Sequence, residues 1–461
     1  MINAHPPEGD RVVHKARVDR PAPALKTDRL HYAYFIVFVL MLTYMLSFLD
    51  RVLISLLIGP IKAEFGLTDT EIGALIGFGF VLFYSVLGVP LGALADRMNR
   101  RNLILYGLVG WSAATSATAG VSAFAGLLAT RAAVGVGEAA LSPAAISTIG
   151  DRFPRERFGL ASSIYSSGIV VGSGLALLFG GIVVQFASQS ALELPYIGAI
   201  SGWRLAMLVV GSLGLPMALF IVLTVREAPR RNPSASAPSM QDLLGHINKR
   251  RTAFASVLLG YSLVAVASYA PILWGPALFM RVHGLQPKEV GLALGLIVML
   301  PGLLGMIAGG ALSDFLSARG RSDAPVRIVF WSCIVQLPFL LAAFTIPDRT
   351  LAWLMLAVGF AANSAFAGLT GPTLQLLAAP QMRGRMMAIY LLCANLFGIG
   401  LGPLVVGILS DKVFTPPAGL AYSVAATVTF ALACSIGILA LARRAIHAAI
   451  NAEGMEEGRA G

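Results

Sequence analysis

Twelve predominantly apolar stretches, each long enough to cross a lipid bilayer, recur along this 461-residue chain, and no other feature limits its fold so strongly. A helix needs about 20 apolar residues to span the hydrocarbon core. Reading the runs in order predicts helices near 32–58, 72–95, 102–121, 124–149, 159–186, 203–225, 253–280, 289–316, 326–346, 350–378, 385–411 and 418–442. With 57% hydrophobic and only 12% charged residues, the chain lies well outside the range of water-soluble domains. The first run is too long for a signal sequence, and the polar, basic residues before it read as a cytoplasmic tail with no cleavage site.

A formal net charge of +11 raises the possibility of a nucleic-acid partner, and the placement of the basic residues argues against it. Clusters at Arg97, Arg100 and Arg101, at Arg152, Arg155 and Arg157, and at Arg226, Arg230, Arg231, Lys249, Arg250 and Arg251 fall on one side of an even number of spans. The opposite loops carry only Lys62, Arg204, Arg281, Lys288, Arg349 and Lys412. The positive-inside rule then places both termini and the long central loop of a multi-pass protein in the cytoplasm. The membrane expected is a bacterial inner membrane.

The three cysteines, Cys333, Cys393 and Cys434, sit inside apolar runs at no ligand spacing, so neither a disulfide frame nor a metal site is indicated. All six histidines lie in tails, loops or span ends, which leaves carboxylates and arginines as the chemistry available within the membrane. No serine, cysteine or histidine arrangement pairs a nucleophile with a base, so the chain does not read as an enzyme, and no cofactor is implied.

The polar, proline- and serine-containing segment that follows Arg226 separates six runs from six. The organisation expected is a tail at 1–31, a six-helix bundle at 32–226, a linker at 227–252, a second bundle at 253–444 and a tail at 445–461. Internal repetition supports two pseudo-symmetric halves. Gly92-Ala-Leu-Ala-Asp96 recurs as Gly310-Ala-Leu-Ser-Asp314, and Gly172-Ser-Gly174 with Gly181 recurs as Gly398-Ile-Gly400 with Gly407.

The stretch Gly92-Ala-Leu-Ala-Asp96-Arg97-Met98-Asn99-Arg100-Arg101 resembles the signature loop between the second and third helices of the major facilitator superfamily. That resemblance implies the major facilitator fold, with twelve transmembrane helices in two six-helix bundles that rock about a central site. It also implies a cytoplasmic gate at Gly92, Asp96, Arg97, Arg100, Arg101 and Asp314. The superfamily usually has glycine where this chain has Asn99, and asparagine is the next-best residue for a left-handed turn. Two further stretches, Ser47-Phe-Leu-Asp50-Arg51 and Arg131-Ala-Ala-Val-Gly135-Val-Gly137-Glu138-Ala139, resemble the Spinster branch, whose members often have asparagine in place of Ser47. Animal members of that branch move sphingosine phosphate or lysophospholipids, which implies an amphipathic substrate.

Charges deep in a membrane are costly and mark function by default. Away from span ends they are Asp50, Arg51, Arg131 and Glu138, all in the first half. Arg131 and Glu138, seven residues apart, fall within about 20° of one helix face and roughly 10 Å apart along it. Thr43, Ser47 and Asp50 form a polar stripe on the first span, and Ser142 continues the Glu138 face. These positions predict that Asp50 and Glu138 compete for Arg131, a proton taken up by one carboxylate freeing the arginine for an anionic substrate. A static buried ion pair joining the first and fourth helices is the competing reading. Further candidates for the substrate cavity are Tyr165 and Ser166, then Tyr261, Ser268, Tyr269 and Trp274, then Asn363 and Asn395. The glycine pairs at 135 and 137 and at 172 and 174 follow no strand, so close helix packing accounts for them better than a nucleotide loop.

The expectation is a secondary active transporter, working by alternating access as a monomer in the bilayer, with a proton as coupling ion and a small amphipathic or anionic substrate. An organic-anion or drug exporter is the nearest alternative, and a non-transporting sensor or a channel the next.

Overall fold

The computed structural model describes residues 27–460 apart from 96, 154, 190–191, 195–197, 228–239, 380–381 and 415–417. Long helices dominate. They are α1 (Thr27–Leu56), α2 (69–95), α3 (Arg100–Thr118), α4 (Phe124–Arg152), α5 (Arg155–Gln189), α6 (Gly202–Thr224), α7 (Arg251–His283), α8 (Pro287–Ala318), α9 (Ala324–Thr345), α10 (Arg349–Leu377), α11 (Arg383–Lys412) and α12 (Gly419–Ala460). Eleven of them are apolar enough over 18 residues to cross a membrane. The remaining one, α3, has 19 residues and is diluted by Arg100, Arg101 and Asn102 in its first turn.

Local sequence explains the helix ends. Thr68 and Glu71 form a reciprocal capping box at the start of α2, and the Asp348 side chain accepts from Leu351 N to start α10. Gly284 closes α7 in the left-handed conformation (φ 65°) that a side chain resists. Asn99 departs from the sequence expectation. It is extended (φ −63°, ψ 114°) and its side chain accepts from Asn102 N, so asparagine serves here as a helix N-cap and not as a left-handed turn residue. Between the halves a short amphipathic helix covers Met240–Lys249, while 228–239 lies outside the described residues. The last helix continues to Ala460, through residues that the sequence assigns to a tail.

The exposed residues are those of a protein solvated by lipid: Leu441 is 90% exposed, Leu223 73% and Phe430 70%. Small residues do the packing between helices, because lipid supplies no hydrophobic drive for apolar side chains to associate. The two halves meet along two related seams. On α5, a Cβ at Gly181 would lie 2.6 Å from Pro287 O, and one at Gly174 would lie 3.1 Å from Gly295 O, both on α8. On α11, a Cβ at Gly407 would lie 2.2 Å from Asp69 O, and one at Gly400 would lie 2.7 Å from Val81, both on α2. Each repeated glycine therefore does the same job in each half. Gly172 likewise abuts Met45 of α1, and Gly398 abuts Ala265 of α7.

The even number of helices leaves both termini at one end of the bundle. At the opposite end, Asp69 of α2 joins the halves: Arg281 Nη1 of α7 donates to its two carboxylate oxygens at 2.9 and 3.0 Å, and Ser410 Oγ of α11 donates at 2.8 Å. Asp411 of α11 completes the contact by accepting from Asp69 N, Thr70 N and the Thr70 hydroxyl at 2.6–3.1 Å. That end of the bundle is closed.

Candidate functional site

Residues 50 and 51 are consecutive on α1, so helical geometry sends their side chains about 100° apart, toward different neighbours. Asp50 faces α3 and α4, accepting from Thr115 Oγ1 at 2.5 Å and lying 3.5 Å from Arg131 Nη1. Arg51 faces Glu138: its Nε donates to Glu138 Oε2 at 2.6 Å, and the Ser47 hydroxyl donates to the same oxygen at 2.5 Å. The four charged side chains belong to residues no more than 7% exposed, and together they are neutral.

This pairing corrects the expectation that both acids share Arg131. Two helical turns separate Arg131 from Glu138 along α4, about 10 Å, so Arg131 reaches Asp50 while Arg51 crosses from α1 to Glu138. Arg51, which the sequence marks as a deep charge but assigns no partner, thus joins the switch. A signal was present, since Ser47 and Arg51 are four residues apart on one helix face and converge on one carboxylate oxygen.

Glycine packing sets the position of Glu138. A Cβ at Gly135 would lie 2.5 Å from Phe80 O of α2, and one at Gly137 would lie 2.8 Å from Trp111 N of α3, so α4 is wedged between those helices. The α-helix is interrupted just beyond, at residues 139–140, and resumes at Leu141.

Aromatic rings enclose the arginines. The Arg51 guanidinium lies 4.7 Å from the Phe48 ring and 4.6 Å from those of Phe80 and Tyr84, and Arg131 lies 5.6 Å from Phe80. None of these rings was singled out from the sequence, nor was Thr115. A void of about 20 Å³, room for one water, adjoins Arg51 and Arg131 and is bordered across the halves by Tyr269 and Ile399. Three buried polar atoms of the cluster, Asp50 Oδ1, Glu138 Oε1 and Arg131 Nε, have no hydrogen-bond partner among the described residues. Such groups are expensive to bury and mark where another donor or acceptor fits.

The other predicted residues divide. Ser142 Oγ lies 3.2 Å from Tyr165 OH, and the Tyr165 ring stacks on Tyr44 at 4.6 Å, extending the site toward the termini. Tyr269 is half-buried beside the void. Thr43 does not join the cluster, since its hydroxyl donates to Val39 O one turn back. Trp274 is fully buried and donates from Nε1 to Pro403 O at 3.0 Å, a strut between α7 and α11. Asn363 donates to Gln336 Oε1 and accepts from Ser268, both at 2.8 Å, so the second half holds an uncharged polar chain away from the arginines. Asn395 is half-buried where α11 widens into a π-turn, Asn395–Leu401, opposite a matching turn at Ala74–Phe78 in α2.

The expected gate residues brace the first half from within. Arg100 is buried and donates to Ser147, Asp151 and Glu227, while Arg101 donates from its backbone N to Glu227 and from its guanidinium to Val222 O. Arg97 and Asp314 are exposed, Gly92 packs beside Pro143, and Asp96 lies outside the described residues.

Comparison with known proteins is consistent with this geometry. Residues 40–403 match the profile described as Major Facilitator Superfamily. An MFS-type efflux pump of Mycolicibacterium smegmatis is 31% identical over 400 residues, covering 85% of this chain and 89% of the pump. Protein spinster homolog 1 of Homo sapiens is 28% identical over 404 residues, covering 82% of this chain and 73% of the relative. A crystal structure of a bacterial homolog to the human lysosomal transporter Spinster, inward-facing and unoccupied, superposes with a TM-score of 0.75 at 27% identity, covering 91% of this chain and 97% of that one.

Proposed function

The chain belongs to the major facilitator superfamily and is a Spinster-like multi-pass membrane transporter, and from that premise we propose that it couples proton movement to transport of an amphipathic, anionic substrate through the Arg51–Glu138 and Asp50–Arg131 pairs. The observation that carries this reading is the Arg51–Glu138 contact at 2.6 Å beside a water-sized void, with Glu138 Oε1 left unbonded. Leaving one partner of a buried ion pair alone costs about 3–5 kcal/mol. A proton on Glu138 therefore leaves Arg51 in need of an anion, and a phosphate or carboxylate group of a substrate restores the balance. Departure of the anion favours return of the carboxylate to Arg51 and loss of the proton. The aromatic cage of Phe48, Phe80 and Tyr84 holds Arg51 in place meanwhile, and the apolar residues Val52, Ile76, Leu273 and Ile399 that line the adjoining void suit a hydrocarbon tail.

Alternating access supplies the rest of the cycle. The Asp69 contacts and the two glycine seams close one end, and the similarity to an inward-facing structure supports assigning the termini-bearing end to the cytoplasm, in keeping with its arginine clusters. A bacterial inner membrane, a monomeric working unit and no cofactor complete the proposal.

Flux into proteoliposomes, with lysolipids, organic anions and cationic drugs in turn and with or without a proton gradient, tests it. Glu138→Gln and Asp50→Asn are expected to abolish gradient-driven uptake; undiminished proton-driven transport in both variants would sink the coupling role. The efflux-pump relative favours a second reading, export of drugs or organic anions, which the same panel separates by substrate preference.

A further inference from the structure

An open groove of about 350 Å³ lies at the termini-bearing end, between the start of α9 and the far part of α12, lined by Asp323, Arg327, Arg443, Arg444, His447 and Ala448. We propose that this groove binds the anionic headgroup of a phospholipid. It plays no part in the charge cluster described above.

Three observations carry the assignment. The first is charge. Arg327 is answered by Asp323 at 2.6 Å, whereas among the described residues Arg443 and Arg444 have no acidic partner. Two guanidiniums therefore face the groove uncompensated, with the fork of donors that suits a phosphate.

The second is depth. Residues 419–441 of α12 form an apolar helix of about 34 Å, close to one hydrocarbon thickness, so Arg443 and Arg444 emerge where headgroups lie. On α12 the exposed face runs through Phe430 and Leu441 to Arg444 and Ala448, at helical spacing. On α9 Val335 and Trp331 are exposed and the half-buried Arg327 follows one turn on, so the tryptophan lies one turn deeper than the arginine, as in interfacial aromatic belts. Both walls of the groove thus continue surfaces that contact acyl chains. This continuity favours a lipid over a free anion.

The third is construction. Ser322 Oγ donates to Asn451 Oδ1 at 2.9 Å, and Asn451 Nδ2 lies 3.1 Å from His447 Nδ1. Asp323, 4% exposed, fixes Arg327. The Ser322–Asn451 bond ties the two walls of the groove together, and the other two fix the His447 and Arg327 side chains along it. Basic pockets between transmembrane helices are known to take anionic headgroups.

The test uses the full-length protein in detergent, with retained lipid counted by native mass spectrometry and melting followed on addition of phosphatidylglycerol, phosphatidylcholine or inorganic phosphate. Phosphatidylglycerol is expected to bind and raise the midpoint, and the other two to leave it unchanged. Replacing both arginines (Arg443→Gln, Arg444→Gln) should weaken phosphatidylglycerol binding about 30-fold, from about one headgroup-attracted charge each. Removing as much charge at the same end, by Arg319→Gln with Arg321→Gln, should change it less than about twofold. Should the glutamine pair lower the midpoint without lipid, Arg444→Gln alone carries the comparison, with about a fivefold loss expected. Equal losses in the two double variants, equal retention of phosphatidylcholine, or the same stabilisation by phosphate alone would each overturn the assignment.

Discussion

Substituting Asp69→Asn removes the charge that closes the end opposite the termini. Asp69 is 5% exposed and accepts three hydrogen bonds from the other half, two from Arg281 and one from Ser410. Hydrogen bonds to charged groups contribute about 1.5–3 kcal/mol each when well formed. The Arg281 side chain is 30% exposed, so water screens part of that, and asparagine keeps one acceptor oxygen. A net loss of about 2 kcal/mol from the closed state follows, which raises the ratio of open to closed molecules about 30-fold. Lys62 also bonds Asp69, at 2.5 Å, but from within the same half, so that contact persists when the halves separate. Lys62→Met should therefore leave the ratio nearly unchanged. Spin labels at Ala63→Cys and Arg349→Cys, exposed positions at that end of the two halves, report the separation in a background with the three native cysteines replaced. Pulsed dipolar spectroscopy should show the longer distance growing in Asp69→Asn and not in Lys62→Met. An unchanged distribution in Asp69→Asn, or an equal shift in both, would refute the claim that bonds across the halves set the equilibrium.

Three further outcomes follow from the same geometry. In a double-mutant cycle, Arg51→Gln and Glu138→Gln should each destabilise by about 3–5 kcal/mol, while the double variant loses clearly less than their sum, as read from melting midpoints. Gly291→Ala puts a Cβ 2.3 Å from Leu177 O across the α5–α8 seam, so it should cost the closed state about 1–3 kcal/mol and move the same spin-label distances toward opening. At Glu64, beyond the end of α1, partial burial pushes the carboxyl up, but hydrogen bonds from Trp203, Arg204 and Ser201 outweigh it and hold the group below its ordinary value. Its folded-state value being depressed, the contact stabilises above the ordinary carboxylate range and is lost as pH falls through the lowered value. The Trp203 fluorescence of the wild type, isolated by subtracting a Trp203→Phe variant, should change in that acid window and stay flat in Glu64→Gln.

What the sequence by itself determined follows from interactions short in range. Apolar run length decides how many helices cross the bilayer, because each must cover about 30 Å of hydrocarbon with its own residues. The repeated glycines were legible as a pattern: Gly174 with Gly181, and Gly400 with Gly407, keep one seven-residue spacing because each pair meets a single helix of the opposite half, α8 for the first and α2 for the second. Buried charge was legible too, since Asp50, Arg51, Arg131 and Glu138 stand out in any apolar run. Which charge meets which was not. Periodicity ranks residues on one helix face but says nothing of how far a neighbouring helix is rotated or displaced. Only tertiary packing decided that Arg51 reaches Glu138 while Arg131 reaches Asp50, that Phe80 and Tyr84 stack on an arginine, and that Trp274 and Asn363 serve structure. The closing contact at Asp69 belongs to the same class, since Arg281 and Ser410 lie more than 200 residues away in sequence and come within 3 Å only when the two halves meet.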